Sequence, residues 1–315
     1  MPAIVTHHVF GMEVHRQLGD LIGAGDAERD AFLLGNIGPD PLFCLKALPK
    51  SQRFKNIGRV MHTQDPTELL ASMHRHFIMA PGNRARGAVR AYALGFVCHY
   101  LLDSTVHPLV YAQQFALCDA GIAGLTRKQG GREVHALIET ELDEYVLTTR
   151  LSTTVGSFSP HREILRCSDA SLVPISSKFP TLIREAYGLG IPPSTFVASV
   201  RLYRSAQRAL DSKRDGLRQY FDYARILGKS YLHVQALTHT DRDLPQTPFT
   251  NSEHVTWPHP FEEGATFDEC FDDLYDRAFE RALSVLPLYA QADYSTSACE
   301  ELTRHVNFHG KRCLP

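Results

Sequence analysis

An all-α architecture follows from three features of this 315-residue chain. Apolar residues recur at helical spacing along nearly its whole length. Acidic residues and glycines stand where helices start and stop. Alternating strand patterns and Asn-Gly or Asp-Gly hairpins are missing. The elements can be taken in order. Residues 26–35 (AERDAFLLG after Asp26) carry acids early and glycine last, the signature of a short helix. Pro66-Thr67-Glu68 opens the next, which runs through LLASMHRHFIMA to the Pro81-Gly82-Asn83 break. A long apolar helix is expected over about residues 84–106, with Pro108 interrupting its continuation. Gly130-Gly131 precedes REVHALIETELDEYVLTTR, again of helical period, and residues 195–229 and 267–291 repeat the pattern. Pro287 is expected to kink the last of these.

Two connections rich in Pro, Ser and Thr separate the helices, residues 151–180 and 241–263. The second holds Asn251, His254, Trp257 and His259, a polar and aromatic cluster suited to covering a site as a lid, or equally to a packed surface loop. The expected organisation is one continuous domain: residues 1–150 as a helical core carrying the chemistry, and residues 151–315 as further helices and the lid loop packed on it.

Composition narrows the class. With 33 Lys+Arg against 35 Asp+Glu, the net charge of -2 argues against a protein built to coat nucleic acid or an anionic membrane. A hydrophobic fraction of 43% with 22% charged residues argues against global disorder. The seven cysteines are scattered without a CxxC pair, which suits a reducing compartment. The start, MPAIVTHHVFGMEVH, lacks the pattern of a secretory leader, and no run of apolar residues is long enough for a transmembrane anchor. A soluble cytoplasmic protein is therefore expected. What stands out is 16 histidines, the residue most used for metal ligation and for proton transfer near neutrality.

The sharpest motif is ALGFVCHYLLDSTVH. His99, Asp103 and His107 stand at i, i+4 and i+8 in an otherwise apolar helix, and so share one face. A buried carboxylate without compensation costs several kcal/mol. A divalent cation meets that need with imidazole and carboxylate ligands, and so does a buried His–Asp hydrogen bond. His135 and Glu139 in HALIE repeat the i, i+4 spacing, which a solvated helix face also explains. Upstream lie Asp40 in GNIGPDP, His62 in RVMHTQD, and His7, His8 and His15. Taken singly, Asp40 reads as a turn residue and His62 as an exposed residue ahead of a helix.

In order and rough spacing, His7, Asp40, His62, His99, Asp103, His107, His135 and Glu139 resemble the zinc ligands of the zinc-dependent phospholipase C family, whose fold the single-strand-specific fungal nucleases share. Thr6-His7 with Phe10-Gly11, Gly38-Pro39-Asp40 and the His99-to-Pro108 run look like its non-secreted branch, over about residues 1–150. The resemblance implies a multi-helix bundle with a metal cleft holding about two to three zinc ions. It implies that Asp40, His62, His99 and Asp103 hold one ion, that His107, His135 and Glu139 hold a second, and that Asp103 bridges to a third with His7. It makes Asp40 the carboxylate that orients or deprotonates the attacking water. Two departures stand against the secreted relatives: Asp103 and His107 are only one helical turn apart, and the N-terminal amine that those relatives use as a ligand would here have to come from Pro2 after loss of Met1.

The implied activity is hydrolysis of a phosphate ester, with a small phosphoester or a phospholipid head group as substrate; nucleic acid is not favoured. Two other readings stay open. Iron or manganese on the same ligands would suit a non-hydrolytic di-metal enzyme, although such centres favour Glu-x-x-His units over the His-x-x-x-Glu and His-x-x-x-Asp seen here. A single structural zinc in a helical interaction protein is the third, but such sites are closed and four-coordinate, fewer than the ligands available. The cationic stretches Arg84, Arg86, Arg90 and Lys213-Arg214 read as solvated helix faces.

Overall fold

The computed structural model describes residues 4–47, 52–79, 86–120, 127–154, 156–209 and 247–313. Among these the fold is all-α, as the spacing predicts. The helices are α1 (Ile4–Ile22), α2 (Asp26–Asn36), α3 (Ile57–Thr63), α4 (Thr67–Met73), α5 (Arg86–Asp119) and α6 (Arg127–Leu151). They continue with α7 (Pro160–Glu163), α8 (Asp169–Tyr187), α9 (Thr195–Ala209), α10 (Phe271–Tyr289) and α11 (Thr296–Thr303). A 3-10 segment covers Asp40–Ala47, and a π turn, His74–Ile78, extends α4. The described strands are a two-residue antiparallel pair, Trp257–Pro258 with Thr266–Phe267.

The axis of the fold is α5, buried from Ala91 through Asp103 and again from Thr105 to Val110, with α1, α2, α6, α8 and α10 around it. Its contact with α2 is closest. A Cβ on Gly95 would lie 2.0 Å from the Phe32 carbonyl oxygen, and one on Gly35 would lie 2.2 Å from that of Tyr92, so only glycine lets the two backbones meet. That approach brings the carbonyl of Asn36 against α5. On the other side, α1 is fixed to α6 through the wholly buried Asp143, whose carboxylate accepts from the Thr6 N–H at 2.8 Å and the Thr6 hydroxyl at 2.6 Å. A carboxylate at a helix N-terminus satisfies amides that have no partner within the helix. Arg150 of α6 lies 3.9 Å over the Tyr275 ring of α10 and pairs with Glu13 of α1, joining three helices.

Several boundaries depart from the expectation, each because burial outweighs local propensity. The long helix does not stop before Pro108; α5 runs through it to Asp119. Proline removes one backbone hydrogen bond, but Val106, Leu109 and Val110 are buried and hold the helix together. Helix α6 begins at Arg127, so Gly130-Gly131 lies inside it, and Gly131 makes room for Gln114, whose Nε2 would be 2.9 Å from a Cβ there. The supposed connection 151–180 contains α7 and much of α8, whose Leu172, Ile175, Phe179, Leu182 and Ile183 form a buried stripe despite Pro174 and Pro180. Helices α1 and α3 fall outside the expected set, as does α11, although Ser295 caps its first turn by accepting from the Ala298 N–H. The predicted helix over 195–229 is seen as α9, and its remainder lies outside the described residues, as do Lys213-Arg214 and residues 241–246 of the lid loop. No described helix is long and apolar enough to cross a membrane.

Replacing Gly95 with alanine should destabilise the protein by about 2 kcal/mol or more, as overpacked backbones must separate. Thermal or urea unfolding checks this, and an unchanged midpoint would contradict the close approach of α2 and α5.

Candidate metal centre

The three α5 residues at i, i+4 and i+8 face one interior point. Asp103 is 5% exposed, and its carboxylate is ringed by imidazoles from three helices. Oδ1 is 3.0 Å from His7 Nε2 of α1, while Oδ2 is 3.2 Å from His99 Nε2 and 3.9 Å from His62 Nε2 of α3. His62 Nε2 also lies 3.1 Å from Asp40 Oδ1, at the start of the 3-10 segment. Gly38, at φ +54°, turns the chain into that segment, and a Cβ there would strike the His99 ring at 2.3 Å. One turn further along α5, His107 Nε2 and His135 Nε2 of α6 converge on the same Glu139 oxygen, at 3.3 and 3.2 Å. All eight residues singled out in the sequence therefore gather in one region. His62 is buried within α3 rather than exposed ahead of a helix, and His107, despite its short spacing from Asp103, reaches Glu139.

The other ring nitrogens explain the arrangement. Nδ1 of His62 is 2.6 Å from the Gly58 carbonyl, that of His99 3.0 Å from Asn36, and that of His107 2.8 Å from Phe308. Nδ1 of His135 is 2.9 Å from the Gln114 side-chain oxygen. Carbonyl oxygens only accept, so each Nδ1 carries the proton, and in the neutral ring Nε2 is left with a lone pair. Four lone pairs thus point at buried carboxylates, which also only accept. His99 Nε2 shows the consequence: it lies close to Asp103 yet makes no hydrogen bond and is left buried without a partner. A cation between these groups satisfies both sides, and the backbone carbonyls act as the outer supports that orient imidazole ligands. At this site three sets bring ligand atoms within 4.8 Å of one another: His7, Asp40 and His99; His62, His99 and Asp103; and His107, His135 and Glu139. The residues fit a metal.

Electrostatics follow the same pattern. In the metal-free alternative, with the rings protonated at both nitrogens, burial alone would raise the carboxyls, yet the His62 hydrogen bond holds Asp40 at about 2. His107, His99 and His7 hold Asp103 well below the usual range against its burial, and His135 and His107 act likewise on Glu139. Burial lowers His107, but Asp103 and Glu139 outweigh it and raise the imidazole to about 9. In His7, burial and the neighbouring His99 prevail and lower it.

These side chains floor a cleft of about 420 Å3. Its wall includes residues the spacing analysis did not select. His309, in a turn after α11, sits with its ring 5.8 Å from that of His107 and 6.1 Å from that of His62, and its Nδ1 is 3.2 Å from the Tyr111 hydroxyl. Burial and the His107 and His62 charges push its pKa down to about 2. Tyr111 and Gln114 follow His107 at i+4 and i+7, so helical period could have found them; nothing local marks His309. Among the other candidates, His8 is buried toward Phe158, outside all three sets, and Pro2 lies outside the described residues. Of the two readings of the 247–263 stretch, the contacts favour the packed surface loop: Trp257 donates to the Glu269 carbonyl, Asn251 donates to those of Val255, Asp268 and Glu269, and Trp257 and His259 line a separate cavity, while Phe261 lies against Tyr111 of the cleft wall.

In comparison with known proteins, the model of one family, described as zinc dependent phospholipase C, matches residues 6–174, more than half of the chain. That span contains all eight candidate ligands and stops short of His309. No curated protein and no solved structure matches.

In metal-free protein the raised pKa of His107 adds stability that is complete below about pH 6.5 and is lost as pH rises through about 9, on the order of 3 kcal/mol. Melting curves of chelator-treated protein between those values should fall with pH; a flat or rising profile would contradict the pairing.

Proposed function

The chain belongs to the zinc-dependent phospholipase C family, and from that premise we propose that it is a phosphodiesterase that cleaves small phosphoesters or phospholipid head groups at a multi-zinc centre. Membership supports a zinc-dependent hydrolase. The observation that carries the finer reading is the shared orientation of four histidines, each with Nδ1 on a carbonyl oxygen and Nε2 turned toward a buried carboxylate.

In this reading Asp40, His62, His99 and Asp103 hold one ion and His107, His135 and Glu139 a second, with Asp103 and His7 reaching toward a third. Zinc would supply charge neutralisation at the phosphoryl oxygens and easier ionisation of water at neutral pH. The protein's own groups do the rest. Asp40 lines the cleft and is kept ionised, so it can accept the proton of the attacking water. As the new P–O bond forms, the ester P–O bond opposite it breaks, and the departing alcohol takes a proton from solvent. Tyr111 and His309, on the wall beside His107, border the space left for the substrate.

Elemental analysis of purified protein should find about two to three zinc per chain, and the protein should hydrolyse bis(4-nitrophenyl) phosphate. Asp103→Asn should lower both the zinc content and the rate, the rate by about 100-fold or more. Iron or manganese in place of zinc, a single zinc without hydrolysis, or an Asp103→Asn protein that keeps both properties would each overturn this reading.

A further inference from the structure

The mouth of the cleft has a charge pattern that the floor does not need. Its carboxylates are Asp40, Asp103 and Glu139, all at the floor. Its lysine and arginine residues are Lys46, Arg59, Arg127 and Arg132. They stand on separate elements: Lys46 on the 3-10 segment, Arg59 on α3, and Arg127 and Arg132 on α6. Arg127 pairs with Asp119. The other three are exposed and have no carboxylate partner among the described residues.

They also act on one another. Burial and then the charges of Arg132, Arg59 and Lys55 hold the Lys46 ammonium below its ordinary value, so α6 and the 3-10 segment face each other across the opening with like charge. Like charges held together across a cleft cost stability when it is empty and concentrate anions within it. A quaternary ammonium would instead need free aromatic faces or carboxylates. Here Lys46 Nζ already sits 5.5 Å over the Phe43 ring, and the Tyr111 ring is packed among His135, His309 and Phe261.

We infer that the substrate is a phosphoester carrying a second anionic group, phosphate or carboxylate, which Lys46, Arg59 and Arg132 bind at the cleft mouth while the scissile phosphate lies on the floor. A zwitterionic choline ester is selected against. The inference rests on the hydrolase reading for its scissile phosphate, and on the rim alone for its selectivity.

Three chromogenic esters with one leaving group test it: thymidine 5′-(4-nitrophenyl phosphate), the same compound with a 3′-phosphate, and 4-nitrophenyl phosphorylcholine. In the natural protein the 3′-phosphorylated ester should exceed the first by about tenfold in kcat/KM, with the choline ester slowest. That ratio should fall toward unity in the triple variant Lys46→Ala, Arg59→Ala, Arg132→Ala, and also at high salt, which screens exposed charges. Equal rates, a preference for choline, or a ratio that survives in the triple variant would overturn the inference while leaving the hydrolase intact. Equilibrium dialysis with thymidine 3′,5′-bisphosphate and phosphorylcholine separates the opposite case. Bisphosphate binding that needs the rim, with no ester cleaved, would defeat the hydrolase reading and keep only the rim's selectivity for a second anionic group; bisphosphate bound no better than phosphorylcholine would defeat the inference.

Discussion

A carboxylate taken out of water must be compensated, and the centre of this protein is arranged around that requirement. Asp103 is enclosed by His7, His62, His99 and His107, with no lysine or arginine pairing to it among the described residues. Imidazole is an incomplete counter-charge: it is cationic only when protonated, and four of the site's histidines are oriented to offer a lone pair instead. The cluster is thus stable in two ways only, with protons on the rings or with cations among them. Much of the surrounding architecture fixes the rings so that these two states compete for the same nitrogens.

That fixing relies on backbone. The carbonyls of Gly58, Asn36 and Phe308 belong to α3, to the end of α2 and to the turn after α11, and each meets one imidazole. The glycines serve the same end. Gly35 and Gly95 let α2 approach until Asn36 reaches His99, and Gly38 leaves space for the ring itself. Phe308, fully buried, fills the gap behind them, its ring 5.4 Å from that of His62 and 5.7 Å from that of His99. Helix packing and site geometry are one set of contacts here.

How much of this was legible in the sequence differs by residue. The ladder of His99, Asp103 and His107 was, because helical period alone dictates a shared face, and the same holds for His135 with Glu139. His7, Asp40 and His62 carried no local signal strong enough to separate ligand from turn or surface residue; only their order, matched to a family, selected them. Pro108 reads as an interruption and residues 151–180 as a connection, because their buried neighbours, which hold α5 and α8 together through Pro108, Pro174 and Pro180, belong to contacts that local sequence does not show. His309 and the cationic mouth escaped altogether. A turn residue has no period, and Lys46, Arg59 and Arg132 become one group only when three elements are brought together.

The turn that carries Phe308 and His309 bears on how the molecule assembles. Its carbonyl reaches His107 across a separation of 201 residues, and Asn307 is tied to Thr63 across 244. Contacts between α5 and α6 close short loops and can form early in folding, whereas these span most of the sequence and carry the entropy of a long loop. Before that closure the nascent molecule owns the histidine ladder but lacks the carbonyl that sets the tautomer of His107. A cation that required the finished ring orientation would therefore report that this closure is complete, and its binding energy would be added to a contact between distant parts of the chain.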